Sequence, residues 1–212
     1  MTHTLPGTVT SGRVVPVLTA ADPASAVSAA RGLLAGGIRC VEVTLRTARA
    51  WDAVAAIRDE VPEIVLGVGT ALTADDVVTA HRLGAAFAVA PGFDREAVST
   101  AHRLDLPMLP GIATPSELMS ALAVGVRCVK VFPAGALGGP GFLRSLSAVF
   151  PAVGLIPSGG ISTANAAAYL EIESVTAVSG SWMLPADAVE RCDSERIAEL
   201  SRDAARLAPA RA

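Results

Sequence analysis

The chain has 212 residues, of which 51% are hydrophobic and 17% charged, and its formal net charge is −3. This composition excludes an intrinsically disordered chain and provides enough apolar material for one large core. The lack of a basic excess and the aromatic content of 4% argue against a nucleic-acid-binding protein.

Short β-branched runs alternate with alanine-rich amphipathic stretches along the chain. Strands are predicted at 13–18, 38–44, 64–69, 86–90, 107–109, 126–131, 154–157 and 175–179. Helices are predicted near 23–36, 47–60, 73–83, 94–103, 114–124, 141–149, 162–170 and 194–207. Eight such βα units predict a closed parallel (β/α)8 barrel, a TIM barrel, with a doubly wound open sheet as the alternative.

No linker divides the chain, so we expect one domain over 1–212, with 1–12 as a poorly structured or short N-terminal extension. Cap-forming residues stand at five predicted helix starts: Asp22, Thr73, Thr114, Ser162 and Ser194. Gly84 and Gly125 follow two of the helices, as C-terminal stops often do. Gly111, after the fifth strand, is interpreted as part of a strand-exit turn.

The chain contains no apolar run of roughly 18 residues, the length of a membrane-spanning helix. Its start, MTHTLPGTVTSG, lacks the features of a signal peptide, so we expect a soluble cytoplasmic protein. Cys40, Cys128 and Cys192 form no CxxC pair, and we expect reduced thiols, buried in the first two cases. The histidines show neither HxH nor HExxH spacing, and we expect no metal centre.

The basic residues are 16 arginines and one lysine, Lys130. That lysine lies in the apolar segment RCVKVF, where a strand is predicted. A lysine in such a place either reaches to solvent along its apolar stem or performs chemistry.

Strand alternation places several polar side chains on the inner face of the predicted barrel. Glu42, Thr44 and Arg46 share one face of the second strand, and Lys130 and Phe132 share one face of the sixth. The branched residues between them suit packing against outer helices. Because active sites collect at the carboxyl ends of barrel strands, and because these two strands lie opposite each other, we expect Glu42 and Lys130 to meet across the barrel mouth.

A carboxylate facing a lysine has two interpretations. One is a buried ion pair, which often does not repay its desolvation. The other is a Schiff-base lysine that attacks a keto group as the free amine, with Glu42 moving protons. Arg46 offers a fixed fork for a substrate carboxylate, or else forms a salt bridge at the rim.

Glycine-rich segments end the last two strands. PSGGIS follows the seventh and GSW the eighth. Loops at these positions often bind phosphate, and the amides of Gly160 and Ser181, with a helix beginning at Ser162, suit an anion. The alternative is a plain turn. Thr70, which ends GVGT after the third strand, is expected at the same rim.

Seven segments occur in a characteristic order: VEVTLRT, GVGT, APGF, LPGIATPSE, VKVFPA, PSGGIS and SGSWM. Together they resemble the class I 2-keto-3-deoxy-6-phosphogluconate / 4-hydroxy-2-oxoglutarate aldolase family. The similarity runs over about 14–207.

The resemblance implies a reversible cleavage of 2-keto-3-deoxy-6-phosphogluconate to pyruvate and glyceraldehyde 3-phosphate, and of 4-hydroxy-2-oxoglutarate to pyruvate and glyoxylate. It also implies the Entner–Doudoroff pathway, a metal-free enzyme without a cofactor, a homotrimer, and small keto acids and sugar phosphates as partners. Composition and the lack of a long apolar run lead us to expect neither nucleic acid nor membrane as a partner.

The resemblance assigns roles to individual residues. Lys130 matches the Schiff-base lysine and Glu42 the general acid/base. The substrate-binding positions it implies are Arg46, Thr70 and Pro91 for the pyruvate part, Phe132 for the pocket wall, Gly159, Gly160 and Ser181 for the phosphate, and Ser158, whose hydroxyl bears on the configuration at C4. Ser158 stands where the gluconate-type enzymes are expected to have threonine, so the galactonate epimer stays open as a substrate. A non-covalent sugar-phosphate isomerase or binding barrel is the alternative of a different class.

Overall fold

A computed structural model describes residues 5–207 of the protein. The first half of these residues forms α1 Gly7–Ser11, β1 Val14–Leu18, α2 Pro23–Ala35, β2 Cys40–Thr44, α3 Ala50–Glu60, β3 Val65–Gly69, α4 Ala74–Arg82, β4 Phe87–Val89 and α5 Arg95–Arg103. The second half forms β5 Met108–Leu109, β6 Gly111–Ile112, α6 Pro115–Leu122, β7 Cys128–Val131, α7 Gly139–Val149, β8 Gly154–Pro157, α8 Ala166–Leu170, β9 Val178–Gly180, α9 Ala186–Glu190 and α10 Ser194–Leu207.

The strands pair in parallel and form two sheets. One has the order β5-β4-β3-β2-β1-β9, and the other has the order β6-β7-β8. Parallel strands need crossover connections, and the helices between successive strands supply them. The predicted α/β class with parallel strands is confirmed.

Backbone contacts link the two sheets at both of their boundaries. At one boundary the amide of Gly111 donates to the carbonyl of Gly92 at 3.1 Å, and the amide of Lys130 donates to the carbonyl of Pro110 at 2.9 Å. At the other, isolated parallel bridges join Leu155 to Val175 and Ser158 to Ser179. The sheets are therefore neighbours along both edges.

The fifth predicted strand differs from the observed structure. The prediction covered 107–109, where β5 is observed, but the strand resumes after Pro110, which has no N–H to donate to a ladder, as the unpredicted β6. The interpretation of Gly111 as a turn residue is wrong, because Gly111 pairs with Lys130 inside β6. A Cβ at Gly111 would lie 2.2 Å from the carbonyl atoms of Pro91, so glycine here permits a close approach of two backbones.

Two short helices were not predicted. Residues 1–4 lie outside the described part of the chain, but Gly7–Ser11 is helical, and the side chains of Leu5 and Val9 are buried in the core. Of the two descriptions considered for 1–12, the poorly structured one is thus wrong for the described residues 5–12. Ala186–Glu190 forms α9, which is too short to show a helical period in the sequence.

The predicted caps are correct at three of five helices. Asp22, Thr73 and Thr114 each accept a backbone N–H in the first turn of their helix, at 3.0, 3.1 and 3.3 Å. The Ser162 prediction is wrong, because α8 begins only at Ala166. The Ser194 prediction is wrong by one residue, because Asp193 accepts the amide of Arg196 at 3.0 Å.

Register shows which side chains share the face that carries Glu42. Glu42 is the partner of Gly67, which in turn is the partner of Phe87, a ring that is 1% exposed. Because partners in parallel strands point the same way, these residues lie in one layer.

None of the helices between residues 5 and 207 is long and apolar enough to cross a bilayer.

Candidate active site

The structure brings together Glu42 and Lys130, 88 residues apart in the chain. Lys130 Nζ donates to Glu42 Oε1 at 3.3 Å, and the two side chains are only 5% and 2% exposed. Because Glu42 belongs to the six-stranded sheet and Lys130 to the three-stranded one, the faces that carry them are turned toward each other. The approach expected from strand parity is confirmed.

The burial of this pair matters for its chemistry. Two charges removed from water lose hydration that their mutual attraction often fails to repay, so the pair is a weak choice as a stabiliser. A carboxylate one hydrogen bond from an ammonium can accept its proton, which leaves a nucleophilic amine. The arrangement is therefore suited to covalent catalysis.

The negative charge of Glu42 also acts on its neighbour on the same face of β2. Burial, with a smaller contribution from the Glu42 charge, raises the pKa of the Cys40 thiol to about 12. On β7, burial raises the pKa of Cys128 to about 11. All three cysteines are free thiols: Cys40 is buried as expected, Cys128 is only partly buried, and Cys192 is exposed.

Phe132 forms part of the surroundings of the lysine. Lys130 Nζ lies 5.5 Å from the centroid of the Phe132 ring, within the range of a cation–π contact. The same ring lies against the first glycine of the glycine pair, since a Cβ on Gly159 would be 3.2 Å from it. Phe132 thus connects the lysine to the loop after β8.

Arg46 lies beyond the end of β2, on an exposed turn in which its amide donates to the carbonyl of Thr44 at 2.9 Å. Within residues 5–207 its guanidinium forms no ion pair with a carboxylate. The rim salt bridge considered as an alternative role is therefore not formed among the described residues.

Thr70 directly follows β3 and has a φ of 62°. This left-handed backbone is unusual for a β-branched residue, and such conformations concentrate at functional sites. Pro91 follows Ala90, just beyond the end of the neighbouring strand β4, and its carbonyl group packs on Gly111. Both residues lie just beyond the carboxyl ends of their strands, as expected for Thr70.

The loop after β8 contains Gly159 and Gly160, with φ of 87° and 78°. Since α8 begins at Ala166, the expected helix N-terminus at Ser162 does not adjoin the glycines. A residue that the sequence analysis missed holds the loop instead. Asn165 donates through Nδ2 to the carbonyl of Gly160 at 2.8 Å and accepts the amide of Ser162 at 2.9 Å.

Three further positions surround this loop. Ser158 is buried and bridged to Ser179 of β9, whose buried hydroxyl has no hydrogen-bond partner among the described residues. Ser181 is exposed just after β9, and its carbonyl accepts the amide of Leu184 at 2.8 Å. Gly135 donates to the carbonyl of Gly159 at 2.9 Å and closes the loop from the side of β7.

A metal site would need a cluster of ligating side chains. Across the described residues, no group of three or more His, Cys, Asp or Glu side chains is arranged to hold an ion.

Comparison with known proteins defines the family. The family model "KDPG and KHG aldolase" matches residues 6–200. The KHG/KDPG aldolase of Escherichia coli K12 is 43% identical over 196 residues, which cover 92% of each chain. The 2-dehydro-3-deoxy-phosphogluconate aldolase of Treponema pallidum is 42% identical over 190 residues, 90% of each chain.

Solved structures agree with these sequence matches. The 2-keto-3-deoxy-6-phosphogluconate aldolase of Zymomonas mobilis ZM4 with 3-phosphoglycerate superposes with a TM-score of 0.93 at 35% identity, covering 99% of this chain and 98% of that one. The KDPG aldolase of Legionella pneumophila, with pyruvate captured as a covalent carbinolamine intermediate, has a TM-score of 0.89 at 36% identity, with coverage of 92% and 95%. The chain belongs to the KDPG and KHG aldolase family.

Proposed function

We propose that the protein is a class I aldolase that cleaves 2-keto-3-deoxy-6-phosphogluconate reversibly to pyruvate and glyceraldehyde 3-phosphate, and that it also cleaves 4-hydroxy-2-oxoglutarate. The observation that carries the proposal is the buried amine of Lys130, 3.3 Å from Glu42 Oε1. The covalent carbinolamine in the Legionella relative supports the same chemistry.

The reaction follows from the positions of these two groups. Glu42 takes a proton from the Lys130 ammonium, and the free amine attacks the C2 ketone to give a carbinolamine. Glu42 returns this proton to the carbinolamine hydroxyl, which leaves as water, and the resulting iminium ion draws electrons from the neighbouring carbon. The ionised Glu42 then takes the C4-hydroxyl proton, the C3–C4 bond pair moves into the iminium, and the aldehyde leaves. Glu42 gives that proton to C3 of the enamine, and hydrolysis of the pyruvate imine releases pyruvate and restores the amine.

The carboxylate end of the substrate is assigned to Arg46, Thr70 and Pro91, with Phe132 as the wall beside the imine. An arginine that forms no ion pair among the described residues is available to bind a carboxylate with two hydrogen bonds. The strained backbone of Thr70 supports a binding role as well, because strain persists where function requires it.

The phosphate end is assigned to Gly159, Gly160 and Ser181, and the hydroxyl of Ser158 is assigned to C4 of the substrate. Because glycine has no side chain, an anion can approach the backbone amides of Gly159 and Gly160 closely. The hydrogen bonds of Asn165 to Gly160 and Ser162 fix the conformation of the loop. Binding of 3-phosphoglycerate by the Zymomonas relative supports an anion site in this family. Ser158 keeps the hydroxyl of the threonine expected in gluconate-type enzymes but lacks its methyl group. The galactonate epimer is therefore the second candidate substrate.

We further propose that the two sheets close into a single eight-stranded barrel that makes the chain one domain. The backbone contacts at both sheet boundaries support this closure, with β5 and β6 counted as one strand interrupted at Pro110. The free thiols fit a reducing compartment, and we infer a cytoplasmic location.

We infer that the protein is a homotrimer, as the resemblance to the family implies. Light scattering coupled to size-exclusion chromatography tests the inference, with an expected mass three times the 21.5 kDa of one chain. A monomer mass at micromolar concentration would contradict it.

Pyruvate release, coupled to lactate dehydrogenase, tests the proposed activity. The substrate panel is phosphorylated keto-deoxygluconate, its galactonate epimer and 4-hydroxy-2-oxoglutarate. We expect cleavage by the wild type and none by Lys130→Ala, with both proteins equally folded by circular dichroism. Full activity of Lys130→Ala would favour the non-covalent isomerase or binding barrel and overturn the aldolase assignment.

A further inference from the structure

Gly69, the last residue of β3, lies directly beneath the Glu42 side chain. A Cβ built on Gly69 would be 2.2 Å from Glu42 Oε1, 2.5 Å from its Cγ and 2.7 Å from its carboxyl carbon. Real Cβ atoms essentially never approach another heavy atom so closely. The Glu42 side chain therefore occupies the volume that any side chain at position 69 would fill.

The backbone at this position does not itself require glycine. Gly69 is absent from the glycines with positive φ, so an alanine would adopt its conformation without strain. The two strands are also unable to move apart cheaply, since Thr44 is the register partner of Gly69 and the amide of Leu45 donates to its carbonyl at 2.9 Å. The contact with Glu42 is the feature that glycine permits.

We propose that Gly69 is a positioning residue, whose missing side chain lets Glu42 lie across β3 and reach Lys130. The inference rests on the proposed function, in which Glu42 moves the protons. A methyl group at 69 would push the carboxylate away from the amine while leaving Lys130 in place. The site would then keep its nucleophile and lose its proton-transfer group.

The variant Gly69→Ala tests the proposal. Positioned acid–base groups accelerate reactions by about 10²–10⁴-fold, and we expect kcat to fall by about 10²-fold with KM nearly unchanged. The pH dependence of kcat should lose the limb that Glu42→Ala also removes. Borohydride should still trap pyruvate on Lys130, more slowly than in the wild type. Wild-type kcat with a wild-type pH profile would refute the proposal.

A double-mutant cycle shows whether Gly69 acts through Glu42. In a Glu42→Ala background the atoms that a Cβ at 69 would strike are gone, so Gly69→Ala should cause no further loss of rate or of melting temperature. Equal losses in both backgrounds contradict the proposal. If Gly69→Ala alone does not fold, folding restored in the double variant supports it, and failure of both variants to fold contradicts it.

Gly67→Ala is the matched control on the same strand and face. Its Cβ would lie 2.2 Å from Phe87 Cζ, so an equally severe collision falls on a core ring and not on Glu42. We expect its loss of stability to be the same in both Glu42 backgrounds.

The Lys130→Ala assay separates a failure of the proposed function from a failure of the proposed role of Gly69. An active Lys130→Ala enzyme refutes the proposed function, whereas an inactive one beside a fully active Gly69→Ala enzyme refutes only the role of Gly69.

Discussion

Thr70 carries a backbone conformation that conflicts with its side chain. At a φ of 62° a β-branched residue pays a steric cost that glycine avoids, of about 1–2 kcal/mol. Nothing in the fold of β3 demands this residue type, since Gly69 precedes it and α4 begins four residues later at Ala74. The strain is consistent with selection for the hydroxyl at the rim.

Replacing Thr70 should separate strain from binding. Thr70→Gly relieves the strain and Thr70→Ala retains it. The free energy of unfolding, measured by denaturant titration, should therefore be about 1 kcal/mol higher for the glycine variant than for the alanine variant. Both variants should raise the KM for the keto acid, because both lose the hydroxyl. A glycine variant less stable than the alanine variant would contradict the account of Thr70.

The cysteines give a prediction about pH. Burial raises the pKa of Cys40 to about 12 and that of Cys128 to about 11, so both stay protonated at neutral pH, whereas Cys192 is exposed. Iodoacetamide at pH 8 should alkylate Cys192 in the folded protein and the other two only after unfolding, as peptide mass spectrometry can show.

The sign of the accompanying stability change follows from the raised pKa values. A thiol that is harder to ionise in the folded state stabilises the fold below its unfolded pKa and loses that contribution as the pH rises toward the folded value. Stability should therefore decline on the alkaline side, from about pH 9 upward. Alkylation of Cys40 as fast as Cys192 at pH 8 would refute its burial.

At the scale of elements, the cap of α6 is the clearest case of sequence directing structure. Thr114 accepts the amide of Glu117, and the Glu117 carboxylate accepts the amides of Ala113 and Thr114 at 2.7 and 2.8 Å. The hydrogen bond from the Ala113 amide makes the largest contribution to holding the pKa of Glu117 below its usual range. At pH values above the usual pKa of a glutamate, the ionised carboxylate stabilises the helix. This stabilisation is lost as the pH falls through the lowered pKa of the folded state.

Removal of this cap should destabilise the protein measurably. Thr114→Ala should cost about 1 kcal/mol of unfolding free energy, the typical cost of a lost N-cap. Ser162→Ala is the control, because Ser162 has the same residue class and predicted role but lies before α8 without capping it. Equal losses in the two variants, measured by urea denaturation, would contradict this distinction.

The elements also show where sequence reasoning ends. Periodicity located eight helix-forming regions, caps fixed the starts of three of them, and strand parity brought Glu42 to Lys130, because these signals are local. The split at Pro110, the role of Gly111 against Pro91 and the Asn165 hydrogen bonds were not predicted. Each depends on which segments become neighbours in space, and a single sequence does not encode that as a local pattern.

At the scale of the whole molecule, the fold explains why its one lysine is buried. Two sheets that adjoin along both edges turn their inner faces together, and the amine and the carboxylate come from opposite sheets. A small change in how the sheets pack would separate the two groups, so the geometry of the site depends on the contacts at both sheet boundaries.

Reductive trapping tests the central claim most directly. The protein is incubated with pyruvate and borohydride, and the modified peptide is located by mass spectrometry. The account predicts that the mass of one reduced pyruvyl group is added at Lys130, that trapping is slowed in Glu42→Gln, and that it is absent in Lys130→Ala. An unmodified Lys130 in active enzyme, or the same adduct on an amine elsewhere in the chain, would contradict the account.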